Sequence, residues 1–366
     1  MSIQNTNIEV NLKNLEHNLN FLRKKISEKT KILCVVKAFG YGSEPVEIAK
    51  KLEENKVDYL AVAYSNEGVE LRKSGITSPI LVLHPQRDDF DDIIKYKLEP
   101  NIYSFRVLDA FIERSKNEKE YPFHLKFNTG LNRLGFSLKD IEEIHTKVTS
   151  SSNIRIKYIF SHLGASEDLN EKKFTDNQIE LFEKISSKMS TIFQSEFKKH
   201  LLNTSGILNY GKFQYDMVRS GIGLYGYGND QNYDKFFKPV VNLKSVVSQI
   251  HKIKKGDSVG YNRGFIATKD SKVGIIPIGH ADGISRSFGN GKASFIINNQ
   301  EAKIVGNVCM DMLMVDVSKI NCNEGDEVII IDSNNQNADQ LARKNGTISY
   351  EILTSLSNRI KRIYIK

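Results

Sequence analysis

Lys37 stands directly after the apolar run 32–36 and is followed by Ala38-Phe39-Gly40-Tyr41-Gly42. An ammonium group is costly to hold among buried apolar residues. A lysine kept there binds its proton less tightly and becomes an amine able to condense with a carbonyl as a Schiff base. The ordinary alternative is a lysine that snorkels to solvent. Other reactive side chains follow later apolar runs in the same way. His162 comes after 156–161, Thr204 after 200–203, and Arg219 after Met217-Val218, with Gly221 and Ile222 next. The Thr204 hydroxyl and the backbone N–H groups near Gly221 and Ile222 suit a phosphate. Taken singly, each has a plain structural reading: a hydrogen-bonded strand-end histidine, or an arginine in an ion pair. A lysine, a histidine, an arginine and a hydroxyl that all fall at strand ends point instead to one rim.

The elements that would form such a rim are short and apolar. The pattern predicts strands at 32–36, 59–63, 80–84, 99–103, 123–127, 156–161 and 200–203, with a last one from Met217 toward Tyr225. Helical spacing of apolar residues marks 45–53, 67–73 and 176–189 between them. Several strands are continuous apolar runs, as in parallel strands buried on both faces. Some eight alternations of strand and helix predict a (β/α)8 TIM-like barrel, with a doubly wound open sheet as the alternative. In a barrel, the reacting groups collect at the C-terminal strand ends. Beyond Asp230 the texture changes to β-branched runs at 246–253, 272–278, 293–297, 302–305, 312–317 and 327–331. Gly289-Asn290-Gly291 and Asn298-Asn299 are expected to close hairpins. A last helix is predicted at 350–360. The division expected is a barrel over 1–235 and a mostly β-strand domain over 236–366, an α/β unit joined to a β unit.

These segments, in order, carry Val35-Val36-Lys37-Ala38 with Tyr41-Gly42, Thr129-Gly130 with Asn132-Arg133-Leu134-Gly135, and Met217-Val218-Arg219 with Gly221-Ile222. Later come Gly260-Tyr261, Ala281-Asp282-Gly283, Gly306-Asn307-Val308-Cys309-Met310-Asp311 and Tyr350-Glu351. Together they resemble the alanine racemase family of pyridoxal 5'-phosphate (PLP) enzymes over nearly the whole chain. The resemblance implies that Lys37 holds PLP and acts as one base. It makes Tyr261 the second base, reaching in from a partner subunit; from the residues alone, Tyr261 reads better as a turn aromatic after Gly256-Asp257. Two bases suit racemisation, since one removes the Cα proton from one face and the other supplies a proton to the opposite face. The resemblance further sets Arg219 against the pyridine nitrogen and His162 beside the ring. It gives the phosphate to Tyr41, Thr204, Gly221, Ile222 and Tyr350. Arg133 and Met310 would meet the substrate carboxylate, and Lys126 matches a lysine that is carbamylated in some relatives. Phe39-Gly40, Ser43-Glu44, Asn128, Leu131 and His280 depart from the family's commoner residues without removing a catalytic group. His280 stands where a tyrosine usually lines the substrate's path.

Composition narrows the remaining readings. The net charge of +8 comes from lysines mixed with glutamates along helical segments, which marks solvated faces rather than a nucleic-acid surface. Cys34, Cys309 and Cys322 are scattered, so neither a disulfide framework nor a zinc or other metal site is expected, and a cytoplasmic location is the simpler one. Met1-Ser2-Ile3-Gln4-Asn5 lacks the basic and apolar regions of a secretion signal, and no run reaches the roughly 18 apolar residues of a membrane span. The expected product is D-alanine for peptidoglycan, made by a head-to-tail homodimer with shared sites. The alternatives are a racemase of serine or of a basic amino acid, and a non-catalytic PLP-binding protein, which the second domain disfavours. A decarboxylase of similar architecture would want an acidic residue where Arg219 stands.

Overall fold

Eight parallel strands close into a barrel: Lys31–Val35, Tyr59–Val62, Ile80–Val82, Glu99–Ile102, Tyr121–Lys126, Ile154–Phe160, Lys198–His200 and Met217–Ser220. They belong to a computed structural model that describes residues 6–366, so the reading of Met1 to Asn5 lies outside the described residues. Closure is made by Lys31–Val35, which pairs in parallel with Tyr59–Val62 on one side and with Met217–Ser220 on the other. Tyr59–Val62, Ile80–Val82, Glu99–Ile102 and Met217–Ser220 are buried along their whole length. One face of each packs on helices and the other fills the barrel, which is why their apolar runs do not alternate.

The helices between them bury one stripe each. In Lys172–Phe193 the stripe is Thr175, Gln178, Ile179, Phe182, Ile185, Ser186 and Met189, at helical spacing. In Pro45–Glu54, proline occupies the first turn, and the Glu44 carboxylate accepts from the N–H groups of Val46 and Glu47. The barrel interior is not wholly aliphatic. Tyr59, His124, Tyr158, Phe160 and His200 pack there as a cluster of rings, with Phe160 and His200 stacked at 4.4 Å.

The second unit is a nine-stranded sheet in the order Gln249–Ile253, Ser271–Ile276, Leu313–Asp316, Gln300–Val305, Ser294–Ile297, Glu327–Ile331, Val241–Val246, Asn7–Asn11 and Lys361–Ile365. Four features differ from the sequence expectation. The first strand, Asn7–Asn11, lies in this sheet, antiparallel to Val241–Val246 and parallel to Lys361–Ile365. The helix expected over 350–360 covers Ser349–Thr354 only, and the last element is a strand. The run 246–253 is broken, because Val247 N–H turns to Asp326 and Ser248 N–H to Ile275. Gly289-Asn290-Gly291 joins no hairpin; Asn290 and Gly291 donate to the carbonyls of Gly306 and Ile304 at a neighbouring strand end. Asn298-Asn299 does close a hairpin, with both residues at positive φ between Ser294–Ile297 and Gln300–Val305.

Candidate active site

Lys37 begins a left-handed helical turn. Ala38, Phe39 and Gly40 have φ of 53°, 55° and 60°, and Tyr41 and Gly42 follow at 52° and 79°. The turn is hydrogen-bonded, Gly40 N–H to Val36 O at 3.1 Å and Gly42 N–H to Ala38 O at 3.2 Å. Such a backbone costs a non-glycine residue roughly 1–2 kcal/mol, so its surroundings must hold it. Glu67 accepts from Ala38 N–H at 2.7 Å. Arg362, from the final strand, donates to Gly42 O at 3.1 and 2.7 Å. Its guanidinium also lies 5.2 Å from the Phe39 ring centre. Gly42 has no alternative, since a Cβ there would meet Leu353 O at 2.0 Å.

Beyond the turn, the buried Tyr41 ring stacks on Tyr225 at 4.4 Å, and its hydroxyl rests against Gly221. Thr204 Oγ1 lies 3.0 Å from Ser220 Oγ and accepts weakly from Gly223 N–H at 3.4 Å. The N–H groups of Gly221 and Ile222 make no hydrogen bond among the described residues. The Tyr350 ring lies 6.1 Å from that of Tyr41, and its hydroxyl accepts from Asn229 at 3.0 Å. Tyr41, Thr204, Gly221, Ile222 and Tyr350 therefore gather in one place, around two free N–H groups.

The other half of the rim is cationic. Half-buried Lys37 has its pKa lowered by burial and by Arg133, with Glu67 opposing. Lys126 is buried and pushed down to about 7 by burial and by Arg219, Arg133 and Lys37. Arg219 is pushed down to about 9 by burial and Arg133, and stays a charged donor at neutral pH. It donates to Ser161 O and Leu201 O, both at 2.8 Å. It also meets His200 Nδ1 at 2.6 Å and His162 Nδ1 at 3.2 Å. Arginine has no acceptor, so both imidazoles accept there. Burial and the nearby cations hold His162 well below its ordinary pKa, and hence neutral. No ion pair among the described residues includes Lys37, Lys126, Arg133 or Arg219. Four basic side chains that join no ion pair among the described residues, beside two unsatisfied N–H groups, fit a ligand bearing a phosphate and further acidic oxygens. PLP has that charge pattern.

Tyr261 and Met310 lie elsewhere in the chain's own fold. With Gly260, Cys309, Asp311 and Met312 they line an open cleft of about 370 Å³, to which no barrel residue contributes. Tyr261 is 73% exposed and Met310 59%, too much for members of a core. A second cleft, between Phe288, Asn345 and Glu351, includes His280. Sequence reasoning gave no site role to His200, Ser220, Tyr225 or Asn229. Ser220 lies between two chosen residues, and its hydroxyl type was the available signal; the others have contacts that only the fold makes.

A closed parallel barrel with a half-buried lysine after its first strand and a cationic rim, followed by a nine-stranded sheet, defines a barrel-plus-sheet protein. The comparisons are narrower. The family model "Alanine racemase, N-terminal domain" matches residues 10–229 and "Alanine racemase, C-terminal domain" matches 240–364. Alanine racemase 1 of Clostridium acetobutylicum is 35% identical over 98% of this chain and 95% of its own. The alanine racemase of Clostridium kluyveri is 36% identical over 98% and 93%. Among solved structures, alanine racemase of Clostridium difficile 630 superposes with a TM-score of 0.92 at 33% identity, covering 100% of this chain and 96% of the other. That of Bartonella henselae, described with covalently bound pyridoxal phosphate, gives 0.89 at 28% identity, covering 99% of each. The chain belongs to the alanine racemase family.

Proposed function

We propose that this chain interconverts L- and D-alanine with pyridoxal 5'-phosphate held on Lys37. The observation that carries the reading is the rim itself: among the described residues Lys37, Lys126, Arg133 and Arg219 join no ion pair, and the N–H groups of Gly221 and Ile222 close to Arg219 stay unbonded. When bound, PLP acidifies the Cα–H of the amino acid joined to it. Lys37, as a free amine of lowered pKa, accepts that proton on one face. Tyr261 of a second copy exchanges a proton on the other face, since two-sided proton exchange is what racemisation requires. Arg219, a guanidinium still protonated at neutral pH, holds its protons more tightly than a pyridine nitrogen would, so it leaves the ring nitrogen unprotonated and favours proton return over other outcomes. Tyr41, Thr204, Gly221, Ile222 and Tyr350 bind phosphate, and His162 flanks the ring. Arg133 and Met310 orient the substrate carboxylate. Lys126, neutral in part near pH 7, is nucleophilic enough to take up CO₂ as a carbamate, releasing one proton and giving Arg133 an anionic partner.

The exposed cleft around Tyr261 supports a head-to-tail homodimer in which each site takes residues from two chains. The division into 1–235 and 236–366 belongs to the same proposal, with Asn7–Asn11 lent to the second unit. Among the described residues no helix is long and apolar enough to cross a membrane; a cytoplasmic location and a supply of D-alanine to peptidoglycan complete the reading. The test is to incubate the purified protein with L-alanine and follow the D-isomer with a stereospecific oxidase. D-alanine must appear, and Lys37→Ala must abolish both turnover and the visible band of bound PLP. Turnover of serine or a basic amino acid in place of alanine would move the substrate and keep the machinery. Absence of PLP binding would overturn the whole reading.

A further inference from the structure

A line of buried polar groups leaves the active-site rim through the barrel interior. Arg219 Nη1 meets His200 Nδ1 at 2.6 Å. His200 Nε2 meets His124 Nδ1 at 3.0 Å, and His124 Nε2 meets Glu99 at 3.0 Å. Glu99 opens its strand, at the barrel end opposite Lys37. There its carboxylate also accepts from Lys157 at 2.6 Å and from Tyr59 at 3.2 Å. Both imidazoles are fully buried, and burial keeps both below their ordinary pKa and therefore neutral, His200 far below.

Donor and acceptor counting gives this line one direction. Arg219 can only donate, so His200 Nδ1 accepts and its hydrogen sits on Nε2. That hydrogen goes to His124 Nδ1, which puts the His124 hydrogen on Nε2, facing Glu99. A carboxylate accepts only, so the two ends agree and each neutral ring has one possible tautomer. Barrel interiors are normally filled by branched aliphatic side chains, and a buried polar line is seldom the more stable filling. What it adds is orientation: at the far end Arg219 is held from behind while its Nε–H meets no acceptor among the described residues.

We propose that Glu99, acting through His124 and His200, is a positioning residue that fixes how Arg219 is presented to the bound cofactor ring. The last step rests on the reading of Arg219 as the ring's partner; the tautomers do not. Glu99→Gln is the informative change, because an amide can turn its NH₂ toward His124. The line can then run backwards and set a His200 N–H against Arg219.

The test is nitrogen NMR of the full-length protein labelled in its histidines, with PLP bound and after its removal, alongside PLP titration. Wild type should show His200 and His124 neutral and protonated on Nε2 in both states. Glu99→Gln should mix the tautomers of both rings, shift the visible band of bound PLP, and weaken PLP binding about tenfold, the scale on which outer-shell partners act at metal sites. Lys157→Met keeps the acceptor and should leave the tautomers as they are. If Glu99→Gln does not fold, His124→Phe cuts the line one step nearer the rim and must weaken PLP binding likewise. A wild-type ring protonated on Nδ1 would overturn the proposal. So would a Glu99→Gln protein with mixed tautomers but unchanged PLP affinity and spectrum, which would leave the line a merely structural role. A wild type with the expected tautomers that binds no PLP would instead overturn the proposed function, and the link to the ring with it.

Discussion

The hydroxyl of Tyr41 occupies the space a side chain at Gly221 would need: a Cβ on Gly221 would lie 2.2 Å from Tyr41 Oη and 3.0 Å from Cζ. Tyr41 cannot retreat easily, because its other face is stacked on buried Tyr225. Gly221→Ala should therefore push Tyr41 out of the phosphate cluster and cost about 1–3 kcal/mol of overpacking. We expect weaker PLP binding by titration and a lower melting temperature. An alanine variant with unaltered PLP affinity would detach Gly221 and Tyr41 from phosphate binding.

Arg362 is the clamp on the left-handed turn. Besides Gly42 it reaches the carbonyls of Leu356, Ser357 and Ile360. Arg362→Ala should cost about 3 kcal/mol in urea unfolding, the order expected for charge-assisted bonds left unmade. It should also loosen PLP at Lys37, read from the visible band. Stability lost with the band intact would show that the turn stands without its clamp.

Lys126 ties stability to pH in the cofactor-free protein. Its folded pKa, about 7, lies below the ordinary value of 10.5. Between those values the unfolded chain holds the proton and the folded chain does not, so Lys126 makes stability rise with pH across that window. Below about pH 7 both states are protonated and the full penalty stands. Lys126→Met should be more stable than wild type at pH 7, with the gap narrowing toward pH 10.5. Chemical unfolding at several pH values reads this directly, and a gap that stays constant would refute it. Added bicarbonate should raise the wild-type mass by one CO₂ and leave Lys126→Met unchanged.

Lys37→Ala and Tyr261→Phe chains should each be inactive alone. Mixed and allowed to exchange subunits, they should regain activity, because one site of each mixed dimer carries both intact bases. No recovery, with exchange demonstrated, would mean that no site takes its two bases from different chains.

The barrel was legible because its strands are buried on both faces and so read as unbroken apolar runs, as in Ile80–Val82. Where that signal thins, boundaries move. The seventh strand begins at Lys198 and ends at His200, earlier than its apolar Leu201-Leu202 implied. Asn7–Asn11 offers only Ile8 and Val10 as buried apolar residues, too short a pattern to declare a strand or its sheet. Lys361–Ile365 is an edge strand with Ile363 and Ile365 exposed, so it lacks a burial signal. At the site, residues next to strand ends were found from chain order and family pattern. The line from Arg219 to Glu99 was not, because His124 and His200 are 76 positions apart and meet only when the barrel closes.

The pairing of Asn7–Asn11 with Lys361–Ile365 makes assembly a matter of timing. At ordinary synthesis rates of 5–20 residues per second, the early strand waits roughly 20–70 s for its late neighbour. The barrel can close meanwhile, but the second sheet cannot. During that interval Asn7–Asn11 is an open edge, the kind that pairs with the wrong chain. Asn7, Glu9 and Asn11 alternate with Ile8 and Val10, which keeps the waiting segment polar on one side and short. The weakness that hid this strand in the sequence is thus what lets it wait in water for its partner.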